Sequence, residues 1–266
     1  MHHKRIRRGL LRLAGIVAAL WPALLPAQKL VQSPEGVYGY RDTPTLSWCG
    51  YRVHDPDRPV PRRVDPGPPA APAPVPSDAV VLFDGRDLAR WNNTDWKIVE
   101  GCLESVGSSN LATRENFGSS QIHLEWMAPA DFQSSWANRG NNGAMLMGLF
   151  EIQIFDSYNE KIYPDGQAAA VYGQTPPLVN VCRKPGEWQT YDIAFSAPVF
   201  QENRMIQPAR VTLFHNGVLV HLNQEIYGET GHRILPEYKQ KTSKGPLVLA
   251  GHHCPVRFRN IWLRPL

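Results

Sequence analysis

The residues with the most chemistry to offer sit in one short run, FEIQIFDSY, at positions 150–158. Alternation along an extended strand puts Phe150, Ile152 and Ile154 on one face and Glu151, Gln153 and Phe155 on the other. Glu151 and Gln153 are then about 6.6 Å apart along the backbone, close enough to grip neighbouring positions of one ligand. Asp156 falls on the opposite face and joins them only across a bulge. A solvated outer face would give the same alternation. Against it stand the glycines of GNNGAMLMG at 140–148, which allow close approach, and the amides of Asn141 and Asn142 beside the strand. His252 and His253, in LAGHHCPVRFRN, add imidazoles, a side chain that suits acid–base work, although an ordinary surface or core histidine is the commoner case.

The carboxylate spacing limits the reaction class. Retaining glycosidases hold two carboxyls about 5–5.5 Å apart and inverting ones about 6.5–9.5 Å. Glu151 and Asp156 form such a pair only if their strand bends. A lone carboxyl beside a histidine points to a different sugar chemistry. No GxSxG, HExxH, P-loop or GxGxxG motif occurs. The eight Trp and nine Tyr could stack on sugar rings, although Trp91, Trp96, Trp188 and Trp262 are each more simply explained as packing.

The elements that must hold these groups are strands. From Val80 onward, VVLF, WKIV, IHLEWMA, AMLMGLFEIQIF, TYDIAFSA, ARVTLFH, VLVHL, PLVLAG and VRFRNIWL alternate with turn chemistry such as DG, GNNG, PDG and KPGE. Asn216-Gly217 marks a hairpin, since both residues tolerate positive φ. No long amphipathic helix and no repeat is visible. The pattern predicts an all-β sandwich or jelly roll, with one or two short helical turns.

Upstream, residues 1–27 read as an export signal: a basic start, an apolar run and a small-residue end at Ala27. The run is too short and proline-broken for a good membrane span, so no span is expected after its removal. Those 27 residues hold five of the 28 Lys/Arg and none of the 24 Asp/Glu, leaving a formal −1 on the rest. With no basic stripe interleaved with aromatics, a nucleic-acid partner is not expected. Residues 28–78 form a proline-rich arm ending in an extended, polyproline-like linker. Within it, Trp48, Tyr51 and Val53 predict that 38–64 packs on the main domain, with plain disorder as the alternative. Cys49, Cys102, Cys182 and Cys254 allow three disulfide pairings in an oxidising compartment, and none has a zinc-like spacing.

With these segments in place, the chain resembles the 3-keto-disaccharide hydrolase domain family. The matching pieces are VLFDGRDLARW, NNGAMLMGLFEIQIFDSYN, DGQAAAVYGQTPPLVNVCRKPGEWQTYDI, PARVTLFHNGVLVH and PVRFRNIWLRPL, spanning 79–266. The resemblance implies a concanavalin A-like jelly roll, export to the bacterial periplasm or beyond, and a carbohydrate substrate oxidised at C3. It implies catalytic roles for Glu151, His252 and Asp156, and substrate contacts from Gln153, Asn141, Asn142 and Tyr172. Asn142, Ala250 and Gly251 stand where the family usually has Ser, Gln and Asp. A ketone at C3 acidifies the C2 proton, so the C1 substituent can leave by elimination and water can then add. No cofactor is demanded by the sequence, although the donor types would suit a divalent cation. The other hypotheses are a carbohydrate-binding module of the same fold without turnover and a cell-surface scaffold whose arm mediates protein contacts.

Overall fold

The computed structural model describes residues 28–69, 71–131 and 135–266, so the signal-like segment 1–27 lies outside it. The alternating runs form two sheets. The larger has eight strands, ordered Val218–Glu225, Arg210–His215, Gln189–Ser196, Ser120–Met127, Arg257–Pro265, Cys102–Glu104 and Lys97–Val99, with Val80–Phe83 also paired to Arg257–Pro265. The smaller has four, ordered Phe150–Ile154, Asn142–Leu146, Val248–Gly251 and Asn110–Ala112. This is the expected all-β sandwich. The last strand of the chain lies inside the large sheet, paired with three others.

Period-two alternation builds the core between the sheets. Ile122, Leu124 and Trp126 with Tyr191, Ile193 and Phe195 on one side share a buried cluster with Phe150, Ile152 and Ile154 on the other. Each such side chain removed from water contributes roughly 1.5–3 kcal/mol. Phe150 meets Phe195 across the gap at 6.1 Å, and the Tyr191 hydroxyl donates to the Gln153 carbonyl at 2.6 Å. The Asn216-Gly217 turn has φ of 53° and 78°, joining Arg210–His215 to Val218–Glu225 as the sequence predicts. One short helical turn, Pro164–Gly166, occurs among the described residues. Trp91, Trp96 and Trp262 are buried, so they are packing residues.

The arm is bound tightly. Leu46 and Val53 are fully buried, Trp48 stacks on Tyr227 at 3.7 Å, and Arg58 donates to the Gln174 carbonyl at 3.0 Å. The proline-rich stretch after it is a strap rather than a free linker. Its carbonyls, unused in an extended chain, accept from the main domain: Arg183 bonds Gly67 and Pro68, and Asn260 bonds Ala73 at 3.0 Å. The four cysteines are free thiols, so none of the three pairings is formed. Among the described residues no helix is long and apolar enough to cross a membrane.

Candidate active site

The hairpin of Asn142–Leu146 and Phe150–Ile154 sets the site. Its register places Glu151 opposite Met145 and Gln153 opposite Gly143. Opposed residues of an antiparallel pair share a face, so all four look away from the core. Gly143 is needed there, because a Cβ would come within 2.4 Å of Glu151 Oε1. The carboxyl lies across the space a side chain would fill. With its nitrogen turned toward acceptors, the Gln153 amide donates to the Asn142 carbonyl at 2.8 Å and to Glu151 Oε1 at 3.3 Å.

Above this floor opens a cavity of about 480 Å³, within the range of small-molecule sites. Its walls include Asn141, Trp136, Tyr163, Tyr172, His232 and His252, with Tyr40 from the arm. The loop carrying His232 is tied to the floor strand, since the Glu151 backbone N–H donates to the Thr230 hydroxyl at 2.9 Å. A hydrogen-bonded chain runs along one wall: Tyr163 and Tyr172 hydroxyls are 3.0 Å apart, and the Tyr172 hydroxyl is 2.9 Å from His232 Nδ1.

Electrostatics separate the groups. Burial, with no cation to offset it, pushes the Glu151 carboxyl up to about 7. Burial also raises the Tyr163 and Tyr172 hydroxyls far above the usual phenol range, so both stay protonated as donors. Partial burial and the neighbouring His54, Arg233 and His252 pull His232 down to about 4, leaving it neutral at working pH. The wall thus offers neutral donors beside one carboxyl poised to gain or lose a proton.

Of the residues singled out in the sequence, Glu151, Gln153, Asn141, Tyr172 and His252 line this one cavity. Asn142 does not. It pairs in register with Ile154, so its side chain turns inward and donates to the Ser105 hydroxyl at 3.2 Å. Asp156 does not either, because no bulge brings it round. It is buried in an ion pair with Arg139 at 2.9 Å, and Arg139 in turn holds Glu160 at 2.6 Å. Asp156 thereby fixes the loop that carries Trp136 and Asn141. His253 points elsewhere and is not among the lining residues. Gly251, where the family usually has Asp, approaches the Ser109 carbonyl so closely that a Cβ would sit 2.4 Å from it. Tyr40, Trp136, Tyr163 and His232 were not singled out, since they come from the arm and loops, where no periodicity marks a face. Among the described residues, no three His, Cys, Asp or Glu side chains converge as metal ligands.

A β-sandwich that sets a carboxyl, amides and aromatic rings around a cavity on one sheet is the build of a carbohydrate-active protein. The chain belongs to the 3-keto-alpha-glucoside-1,2-lyase-like domain family, whose model matches residues 78–264. A candidate glycosyl hydrolase from Parabacteroides distasonis is 35% identical, with a TM-score of 0.70, over 84% of this chain and 100% of that one. Two further candidate glycosyl hydrolases from the same organism share the fold. One is 18% identical with a TM-score of 0.53, over 71% of this chain and 94% of its own. The other is 22% identical with a TM-score of 0.51, over 71% and 99%. No curated protein matches the chain.

Proposed function

We propose that this protein cleaves 3-keto glycosides by elimination at C1–C2, with addition of water completing a net hydrolysis. The observation that carries the proposal is Glu151: a single carboxyl at the cavity floor, without a cationic partner, its pKa raised to about 7. A general base works best when its pKa lies near the working pH. In the first step Glu151 takes the C2 proton, and the electron pair moves into the C3 ketone as an enolate. The ketone then re-forms, a C1–C2 double bond appears, and the C1 oxygen leaves with a proton from His252. In the second step His252 takes a proton from water as it adds at C1, and Glu151 returns its proton to C2. The Tyr163–Tyr172–His232 chain serves the C3 oxygen, where negative charge gathers, by turning one hydroxyl proton toward it. Gln153 and Asn141 orient ring hydroxyls. The basic and then apolar start of the chain favours action outside the cytoplasm.

The test incubates purified protein with a 3-keto-disaccharide and with its unoxidised parent, with and without chelator, and follows monosaccharide release. Release from the keto sugar alone is expected. No release above a Glu151→Gln control overturns the proposal. Sugar binding without turnover, unaltered in that variant, would make the protein a carbohydrate-binding module instead.

A further inference from the structure

The family match begins at residue 78, yet the arm before it reaches the cavity. Tyr40 forms part of the wall, edge-on to His232 at 5.9 Å. Behind the wall lies His54, also from the arm and fully buried. Its backbone N–H donates to Asp165 Oδ2 at 2.9 Å, and its ring Nδ1 faces Asp165 Oδ1 at 3.3 Å. Asp165 is itself fully buried, in the turn Pro164–Gly166. A buried histidine gripped twice by a buried carboxylate is expensive to build and holds its ring in one orientation.

That orientation bears on the site. The His54 ring stacks on Tyr163 with centroids 4.0 Å apart and planes 29° apart, and lies 4.9 Å from Tyr172 and 5.1 Å from His232. It therefore touches the whole hydrogen-bonded wall at once. The backbone is bent to achieve this: His54 has φ of 58°, a left-handed conformation uncommon for a residue with a side chain. Its Nε2 is buried with no hydrogen-bond partner, a cost that ordinary packing would avoid. Glycines clear the way. A Cβ on Gly39 would strike the His54 carbonyl at 2.4 Å, and one on Gly166 would strike the Tyr163 ring at 2.1 Å.

We infer that the arm is a working part of the site, and that His54, clasped by Asp165, is the positioning residue that aligns the Tyr163–Tyr172–His232 chain over the cavity. The inference rests on the elimination chemistry proposed above, in which that chain turns a hydroxyl toward the enolate oxygen.

The test compares the full-length wild type with the double variant His54→Phe/Asp165→Asn, which keeps a flat ring and leaves no bare buried carboxylate. On the 3-keto-disaccharide, kcat should fall at least about tenfold with KM within about threefold, the signature of a lost transition-state contact. The imidazole ¹⁵N spectrum of His232, recorded without substrate, should lose its hydrogen-bonded Nδ1 signal. His54→Gln, which keeps a donor for Asp165 but not the stacked ring, gives the same two readouts should the double variant not fold. A folded variant with wild-type kcat and an unchanged His232 signal overturns the inference. If the wild type leaves the keto sugar intact, the chemistry fails, and the His232 signal still decides the role of His54.

Discussion

Glu151 and Glu125 are glutamates on strands of the same sandwich, on opposite sheets, and their surroundings drive them opposite ways. Glu151 meets apolar rings and neutral amides, and burial carries its pKa up to about 7. Burial would raise Glu125 as well. There, however, His123, Asn260 and Arg259 converge on it, with Arg259 Nε at 2.7 Å and Asn260 Nδ2 at 2.9 Å, and its pKa falls to about 2. His123 completes the cluster. Burial would lower it, but Asp192 at 2.7 Å and Glu125 hold it up at about 9. Arg259 lies over Trp188 at 3.9 Å. The difference teaches where to look for reactivity: a carboxylate satisfied by donors is structural, and one buried without them can exchange a proton.

Exchanging the two glutamates' roles should fail, and the largest effect falls at Glu151. Glu151→Gln should lower kcat by about 10³-fold, the middle of the range that a general base supplies. The wild-type kcat/KM should lose activity below about pH 7 as the carboxyl protonates. Stability should move the other way. The folded pKa of Glu151 lies above its ordinary 4.5, so a destabilisation sets in as pH rises past that value and is complete above about 7. Glu151→Gln removes it and should stabilise the protein at pH 8 by on the order of 3 kcal/mol, with the two denaturation curves converging at about pH 4.

Glu125→Ala should show the reverse pattern, with a loss of about 3 kcal/mol in urea unfolding and kcat unchanged in the folded fraction. The contribution of Glu125 is present above pH 4.5 and disappears as pH falls through about 2. That of His123 is present below pH 6.5 and disappears as pH rises through about 9. Gly143→Ala is a finer test of the Glu151 side. Its Cβ must displace the flexible carboxyl end, so kcat should drop about tenfold for about 1.4 kcal/mol of misplaced transition-state contact, with thermal unfolding near wild type. Tyr40→Ala should have the smallest effect, raising KM about fivefold through lost stacking on the sugar.

Glu151 and Gln153 were legible because strand alternation fixes which residues share a face, and it correctly placed Asp156 opposite. The strands of the large sheet were legible for the same reason, and the Asn216-Gly217 turn because both residues tolerate positive φ. Asn142 was misplaced because its inward direction depends on pairing with Ile154, and register is a two-strand property that one strand does not display. The arm gave a partial signal. Trp48, Tyr51 and Val53 were more apolar than a linker needs, and Val53 is indeed fully buried beside His54. Nothing in the arm's own pattern could name the partner, because Asp165 lies 111 residues downstream. The Arg183 and Asn260 donors that hold the proline-rich strap lie still further off in sequence, 115 and 187 residues from their acceptors.

The place of Arg257–Pro265 within the large sheet has a consequence for how the protein is made. Synthesis delivers this strand well after Val80–Phe83, Cys102–Glu104 and Ser120–Met127, yet it supplies the first with its ladder partner and each of the other two with its second. Until it emerges, a nascent chain carries unpaired strand edges and an open core, the state most exposed to aggregation. A stop or a disruptive substitution within Arg257–Pro265 therefore acts on the keystone of the sheet.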